Sequence, residues 1–257
     1  MKTSTKFLAI ALAIIAVSLC FYDLSVRAVY LGGSFRTPFK DYSDLNFKGF
    51  DTINVKSCTA VNVLFEQGPF RVRLALDAES FARISQDNKT LNISAVFKHG
   101  YENNRNAYLV IVTCPNIANL STDGWYGTNG KSYIDTVVKD EWNMRKVWVE
   151  GFKQDSLSIS QDYGSTVVLS GNSIKALNVQ IGKSPLSGSK LFVLKINSFQ
   201  SANLDIRNKS KLLLEDAQIG KLNYRLSDSA KLVLNGNAAH LINNANQESR
   251  TKNQEPR

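Results

Sequence analysis

The sequence predicts an all-β protein, a parallel β-helix-like solenoid of short strands that follows an N-terminal apolar helix. Two observations favour this fold class. Short runs of β-type residues bounded by turn residues occur from residue 47 onward, and several recur at nearly constant spacing in the second half. The chain has 257 residues, of which 43% are hydrophobic and 21% charged. This balance is typical of a globular protein and excludes a disordered chain.

The first element is an export or anchor segment. Lys2 and Lys6 precede an apolar run over residues 7–21, which is the pattern of a secretory signal. The run is short for a membrane-spanning helix, which needs about 20 residues. Cleavage after Ala28, an uncleaved anchor and lipidation at Cys20 all stay open. In each case we expect the rest of the chain in the periplasm or at the cell surface.

We expect four segments along the chain. Residues 1–28 form the signal peptide or membrane anchor, 29–46 a linker, 47–242 the β-repeat domain and 243–257 a disordered polar tail. The formal net charge is +9. An exported basic domain is attracted to anionic glycans or lipid head groups, and its compartment makes nucleic acid a poor partner.

Strand signals occupy most of the first half of the repeat domain. Alternating or continuous apolar residues predict strands within residues 50–55, 61–65, 70–76, 91–97 and 108–112. Gly68–Pro69 and Pro115 interrupt these runs. Residues 77–84 are predicted to form a short helix.

The second half contains a repeat of about 20 residues. Four similar runs begin at Thr166, Lys190, Lys211 and Lys231, which are 24, 21 and 20 residues apart. A single coil of this length cannot bury its inward side chains, whereas coils stacked about 4.8 Å apart bury them as continuous columns. The columns predicted to point inward are Val167–Leu191–Leu212–Leu232 and Leu169–Val193–Leu214–Leu234. A β-sandwich competes, but its connections rarely repeat at one length.

The same register predicts two outward columns. Lys190, Lys211 and Lys231 form a basic ladder that could bind an anionic polymer or simply keep the sheet soluble. The apolar column beside it consists of Val168, Phe192, Leu213 and Val233. We expect a partner, a second copy or the segment 125–152 to cover this column, the last being favoured.

Aromatic and cysteine residues give weaker signals. Trp125, Tyr126, Trp142 and Trp148 lie within one short span and could stack on sugar faces or pack an insertion against the solenoid. Outside the leader, Cys58 and Cys114 lie in strand-like runs. They could form a disulfide in an oxidising compartment or remain two buried thiols.

Several segments resemble one bacterial envelope family. They are Phe50–Val55, Val61–Gly68 with its terminal Gln-Gly, Leu91–Ser94, Tyr108–Pro115 and Leu120–Gly124. Together they are similar to the auto-transporter adhesin head GIN domain family of the Bacteroidota, over roughly residues 47 to 236. The resemblance implies a β-helix-like repeat and an adhesive role, and it supplies no catalytic or ligand residues. The sequence departs from the family pattern in 125–152.

The sequence offers no sign of an enzyme. It lacks the motifs of phosphate loops, dinucleotide-binding folds and serine hydrolases, and it has two histidines, His99 and His240. We therefore expect no cofactor and no metal site. The predicted role is a non-catalytic, adhesin-like or surface-organising envelope protein that binds glycans, another envelope protein or a second copy. A carbohydrate-active β-helix enzyme acting on an anionic polysaccharide is the alternative, with Asp155 and Asp162 among its candidate carboxylates.

Overall fold

The computed structural model describes residues 3–31, 39–98, 107–136, 145–227 and 229–240. The chain divides into two compact units, Met1–Tyr42 and Ser43–Arg257. Trp142, His99 and the predicted tail 243–257 lie outside the described residues.

The first unit contains one long helix, α1 (Thr3–Leu31). The apolar helical segment is longer than the run predicted from the sequence, because no Gly or Pro occurs between residues 22 and 31 to end the helix. Within it, Thr5–Ala28 is long and apolar enough to cross a membrane, as judged by length and composition. A signal sequence near an N-terminus meets the same criterion.

The second feature is a set of short strands that begins at Tyr42. In chain order they are β1 (Tyr42–Leu45), β2 (Thr52–Val55), β3 (Val63–Gln67), β4 (Arg71–Ala75), β5 (Ala82–Asp87), β6 (Thr90–Phe97), β7 (Val110–Cys114), β8 (Asn119–Thr122), β9 (Trp125–Thr128), β10 (Lys131–Ile134), β11 (Val147–Glu150), β12 (Lys153–Gln161), β13 (Thr166–Ser170), β14 (Ser173–Ile181), β15 (Lys190–Val193), β16 (Ser198–Ile206), β17 (Lys211–Glu215), β18 (Gln218–Leu226) and β19 (Lys231–Asn235). Single 3₁₀ turns cover Leu76–Ala78 and Gly236–Ala239.

These strands form two large open sheets. Sheet A has the order β1-β4-β7-β3-β11-β13-β15-β17-β19, and sheet B has the order β10-β9-β6-β2-β8-β12-β14-β16-β18, with β5 added beside β6. From β11 onward the chain alternates between the sheets, and each strand pairs in parallel with the next strand of its own sheet. Antiparallel pairs occur between β4 and β7, β5 and β6, and β9 and β10.

The inward columns predicted from the repeat are confirmed by register and burial. Val167, Leu191 and Leu212 pair in register and are fully buried. The same holds for Leu169, Val193 and Leu214. On β19 both columns become half-buried, because this strand is the last in sheet A.

The uneven spacing of the repeat has a local cause. The β14–β15 connection uses residues 182–189, whereas the equivalent β16–β17 connection needs only 207–210.

Buried polar residues stack at the two corners where the chain passes between sheets. At one corner the fully buried Ser165 donates from Oγ to Ser189 Oγ at 3.4 Å, and the Ser189 backbone N–H donates to Ser210 Oγ at 3.2 Å. At the other corner Asn172 and Asn197 stack in the same way, with their Nδ2 and Oδ1 atoms 3.0 Å apart. Small and amide side chains fit here because they satisfy backbone groups that leave the sheet ladders.

Two expectations about the first half are wrong. Residues 77–84 do not form a helix. A 3₁₀ turn ends at Ala78, and the antiparallel hairpin β5–β6 places Ile84 opposite Ile93. The apolar contact across the hairpin outweighs a short and weak helical pattern. The span 125–152 is also not one separate insertion: it contributes the hairpin β9–β10, and β11 lies between β3 and β13 as a regular member of sheet A.

Candidate functional site

A long groove crosses the outer face of sheet B. Its volume is about 750 Å³, and its walls come from seven strands in the spatial order β6-β2-β8-β12-β14-β16-β18. With strands spaced about 4.8 Å apart, the groove extends about 29 Å perpendicular to the strands. The groove is therefore long and open, a shape that suits an extended ligand better than a compact one.

Two parallel rows of polar side chains form its walls. The row that we call the Asn223 row consists, strand by strand, of Thr90, Thr52, Asn119, Ser158, Asn178, Asn203 and Asn223. The Arg225 row consists of Asn92, Asn54, Ser121, Ser160, Gln180, Asp205 and Arg225. The rows lie two residues apart along each strand, which is about 7 Å. The residue between them, such as Ile159 or Val179, turns its side chain into the core, so backbone forms the groove floor.

Hydrogen bonds along the rows hold the side chains in a fixed orientation. Asn223 Nδ2 donates to Asn203 Oδ1 at 2.9 Å, and Asn203 Nδ2 donates to Asn178 Oδ1 at 2.9 Å. Nearer the other end, Asn54 Nδ2 donates to Asn92 Oδ1 at 3.2 Å. Each amide nitrogen carries two hydrogens, and one bond along the row uses one of them. Asn178, Asn203 and Asn223 are exposed, so their second amide hydrogen and one carbonyl lone pair stay available to a ligand.

Charge is confined to one end of the groove. Asp205 and Arg225 pair in register on β16 and β18, whereas the other members of both rows are neutral amides and hydroxyls. Asp205 also accepts from Arg207, with Oδ2 2.5 Å from Nη2. That hydrogen bond lowers the pKa of Asp205, and the positive charges of Arg207 and Arg225 act in the same direction. The Asp205 carboxyl is therefore held ionised and is unsuited to donate a proton.

The predicted basic ladder lies on the other sheet. Lys190, Lys211 and Lys231 occupy neighbouring positions on β15, β17 and β19 of sheet A. The predicted apolar column runs beside this ladder. The column is longer than predicted, because Trp148 on β11 pairs in register with both Val168 and Leu64 and so extends it by two strands. Val168 is buried, whereas Phe192, Leu213 and Val233 are half-buried. The lysines are thus in register as a ladder, but they do not line the groove.

Three of the predicted aromatic residues, Trp125, Tyr126 and Trp148, lie in the described part of the chain and occupy two strands of different sheets. Trp125 and Tyr126 lie on the hairpin strand β9, where the Trp125 ring packs edge-on against Tyr163 with centroids 6.0 Å apart. The Tyr126 ring stacks on Tyr133 at 5.9 Å. Trp148 belongs to the apolar column of sheet A. Among the described residues these side chains therefore pack against neighbouring rings and strands and do not line the groove.

Cys58 and Cys114 are both buried free thiols in the structure. The Cys58 thiol donates to the backbone oxygen of Thr166 at 3.3 Å. Burial raises the pKa of both Cys58 and Cys114 to about 12. Both are therefore protonated and poorly nucleophilic at neutral pH.

The candidate carboxylates lie outside the groove. Asp155 is exposed and pairs with Lys175 Nζ at 2.7 Å. Asp162 accepts the hydroxyl of Ser184 at 2.6 Å at the corner that follows β12. The half-buried Asp123 occupies the corresponding position after β8, the strand that pairs with β12. Burial raises its pKa to about 6, and the negative charge of Asp162 adds to the shift. No group of three or more His, Cys, Asp or Glu side chains that could hold a metal occurs in the described part of the chain.

The polar rows of the groove were not predicted, although the sequence contains a pattern that marks them. Strands of sheet B repeat the triplet polar-apolar-polar, as in Asn119-Leu-Ser, Ser158-Ile-Ser, Asn178-Val-Gln and Asn203-Leu-Asp. On β14, β16 and β18 this triplet begins with Asn and recurs at 25 and 20 residues. The triplets on β2, β6, β8 and β12 do not stand out as members of the same series, because their spacing along the chain is irregular.

Comparisons with known proteins yield a few distant structural neighbours. No family model matches the sequence, and no curated protein matches it. A "putative adhesin" from Parabacteroides distasonis is 12% identical with a TM-score of 0.48, covering 75% of this chain and 71% of that chain. A "putative adhesin" from Bacteroides fragilis is 13% identical with a TM-score of 0.41, covering 76% and 96%. A "putative lipid binding protein" from Parabacteroides distasonis is 15% identical with a TM-score of 0.26, covering 75% and 96%.

Proposed function

We propose that this chain is a non-catalytic, exported cell-envelope protein whose β-repeat domain binds an extended, hydroxyl-rich polymer along the groove of sheet B. In this proposal the domain is a parallel β-helix-like solenoid, α1 is its export or anchor segment, and the ligand is a glycan. The observation that carries the proposal is the pair of polar rows that continue in register across seven strands.

The chemistry of the rows suits sugar hydroxyls. A hydroxyl group both donates and accepts a hydrogen bond, and so do the amides of Asn178, Asn203 and Asn223. These side chains are exposed, yet bonds along the row already fix their orientation, so binding costs little additional side-chain entropy. Because the same contacts recur at every strand, a repeating polymer can make them many times, and weak individual contacts add to a useful affinity.

The groove favours binding over cleavage. Hydrolysis of a glycosidic bond commonly uses two carboxyl groups, one of them protonated. Of the described residues that line the groove, Asp205 is the one carboxylate, and its pKa is lowered. The carbohydrate-active enzyme therefore ranks second.

A second binding mode rests on the basic ladder. Three lysines stacked about 4.8 Å apart repel one another mildly, and a linear polyanion would relieve that repulsion. This mode predicts strongly salt-dependent binding on sheet A, whereas hydrogen bonding in the groove predicts weak salt dependence.

Both modes can be tested with the full chain in detergent micelles, titrated with neutral and anionic polysaccharides by calorimetry. We expect Asn178→Ala/Asn203→Ala to weaken binding of a neutral β-glucan about 10- to 30-fold, at roughly 1 kcal/mol per lost hydrogen bond. The matched control is Lys190→Gln/Lys211→Gln on the opposite sheet, which should leave neutral-polymer binding unchanged.

The outcome separates the three functions. Loss of alginate binding in the lysine variant alone would favour the ladder. Shortening of any polymer, seen by size-exclusion chromatography, would overturn the non-catalytic role. No binding of any polymer by the wild-type chain would overturn the groove proposal.

A further inference from the structure

The two ends of the strand stack differ. At the end that holds the first strands of the stack, β4, β5 and β10 add antiparallel pairs beside the parallel strands, and Phe81 stacks on Phe97 with ring centroids 4.6 Å apart. At the other end, β18 and β19 are the last strands of sheets B and A. Their outer edges present backbone N–H and C=O groups that no strand in the described part of the chain pairs with.

The core is open at this end over only half of β18. The 3₁₀ turn Gly236–Ala239 lies over the first half of the strand, where Ala238 is fully buried and Ile219 is 9% exposed. The Asn237 N–H fixes this turn by donating to Asp216 Oδ1 at 2.8 Å.

The second half of β18 is bare. Tyr224 is 44% exposed and Leu226 is 40% exposed, although the residues at the same register one coil earlier, Leu204 and Ile206, are buried. Large apolar side chains on an unpaired strand edge form a site for strand pairing.

The segment that follows the 3₁₀ turn has little apolar sequence with which to cover the site. Residues 241–257 contain the aliphatic residues Leu241, Ile242 and Ala245 and are otherwise polar or proline. A covering element needs apolar residues at alternate positions, which this segment lacks after Ile242.

The bare strand is complementary to itself. Residues 222–226 read Leu-Asn-Tyr-Arg-Leu. In an antiparallel pair centred on Tyr224, each Leu222 faces Leu226 of a second copy, and each Arg225 faces Asn223. Lys221 then faces Ser227, so no two like charges are opposed. Natural edge strands often use basic residues to prevent pairing, but this register gives every basic residue a neutral polar partner.

The edge of sheet A has the same property. Residues 231–235 read Lys-Leu-Val-Leu-Asn. An antiparallel pair centred on Val233 places Leu232 against Leu234 and Lys231 against Asn235. Tyr224 lies two residues before the end of β18, and Val233 lies two residues after the start of β19. The two positions are therefore equally far from the turn that joins β18 to β19, so one two-fold axis perpendicular to the sheets can relate both pairs of strands.

We propose that two copies of this chain associate end to end through antiparallel pairing of β18 with β18 and β19 with β19. The interface is isologous, as in most homodimers. It buries the exposed Tyr224 and Leu226 side chains and pairs the backbone edges of residues 222–226 and 231–235. It also joins the Asn223 row of one copy to the Arg225 row of the other, but the pairing itself does not depend on the proposed function of the groove.

Disulfide trapping tests the register directly in the full chain, with Cys20→Ser in the background because Cys20 is exposed. In the proposed dimer the two Tyr224 Cα atoms lie about 5 Å apart, within disulfide reach. The two Leu222 Cα atoms are four residues out of register, about 14 Å apart and beyond reach. Tyr224→Cys is therefore the probe, and Leu222→Cys on the same strand is its matched control.

We expect mild oxidation to give at least about tenfold more covalent dimer for Tyr224→Cys than for Leu222→Cys, and the same excess for Val233→Cys. The double variant Leu222→Cys/Leu226→Cys should recover crosslinking. Equal crosslinking at all positions, or none in variants whose circular dichroism matches the wild type, would overturn the proposal. Crosslinking that occurs only after removal of 241–257 would also overturn it, since the tail would then be the occupant of the edge in the intact chain.

Discussion

Asn197 is the residue whose replacement gives the sharpest test of how the corners are held. It is buried in the turn between β15 and β16. Its Nδ2 donates to the backbone oxygens of Leu169 at 2.8 Å and Leu194 at 2.6 Å. Its Oδ1 accepts from both the backbone N–H and Nδ2 of Asn172, each at 3.0 Å. One side chain thus ties this turn to the end of β13 and to the turn between β13 and β14.

The cost of Asn197→Ala follows from the groups that lose their partner. The Asn172 N–H loses its hydrogen bond, whereas Asn172 Nδ2 keeps a bond to Val149 O at 2.9 Å. Leu169 O also stays satisfied, because it accepts from the Leu194 N–H at 3.0 Å. An unsatisfied buried polar group costs about 1–3 kcal/mol. Water can reach the half-buried Leu194, so the Asn172 N–H dominates the cost, and we expect a loss of about 2–3 kcal/mol in the free energy of unfolding, a sizeable part of the 5–15 kcal/mol typical of a domain.

Urea unfolding followed by circular dichroism measures this loss. The midpoint should fall without a change in slope, because the surface exposed on unfolding is unchanged. Asn203→Ala is the matched control. It removes the same atoms from the exposed Asn223 row, and it should cost less than about 1 kcal/mol while weakening polymer binding. If Asn197→Ala costs no more than Asn203→Ala, the buried corner amides do not hold neighbouring turns together.

Three further results are expected. Ile196 has a φ of 73° and is 79% exposed, so Ile196→Gly should relieve left-handed strain and stabilise the fold by about 0.5–1 kcal/mol, raising the thermal midpoint by about 1–4 °C, while Ile196→Val changes nothing. Because burial raises the pKa of Asp123 to about 6, above its unfolded value, stability should fall as pH rises from about 4 to about 6. Asp123→Asn should weaken this dependence of the unfolding free energy on pH, and it should raise that free energy by about 1 kcal/mol at neutral pH, after allowance for solvent screening. Urea titrations at several pH values measure this, and a stronger pH dependence in the variant would contradict it. Cys58 and Cys114, each with a pKa of about 12, should react with thiol reagents only after unfolding, and rapid labelling of either in the native chain would be inconsistent with their burial.

The sequence predicted sheet A better than sheet B for a physical reason. The runs on β15, β17 and β19 each begin with Lys-Leu and have Val or Leu at the fourth position, so they differ clearly from their flanking turns, and their register was predicted residue by residue. An outward Ser158 or Asn178 looks like any solvated residue, and only the pairing of distant strands shows that such residues form rows. Residues 82–84 could not be assigned from local pattern, because their strand β5 exists through its pairing with β6.

The length of the groove connects the two proposals. A repeating polymer gains affinity with each strand that it crosses, and the gain stops when the polymer spans the available rows. In a single chain this limit is about 29 Å, set by seven strands at about 4.8 Å spacing. In the end-to-end dimer the Asn223 row continues into the partner's Arg225 row, so the limit rises to about 62 Å over fourteen strands.

Oligosaccharides of increasing length therefore test polymer binding in the groove and end-to-end pairing in one experiment. Affinity that levels off near the shorter length in wild type would mean that the groove is used by one copy alone. A second rise that disappears when Tyr224→Lys places like charges opposite each other would mean that pairing extends the groove.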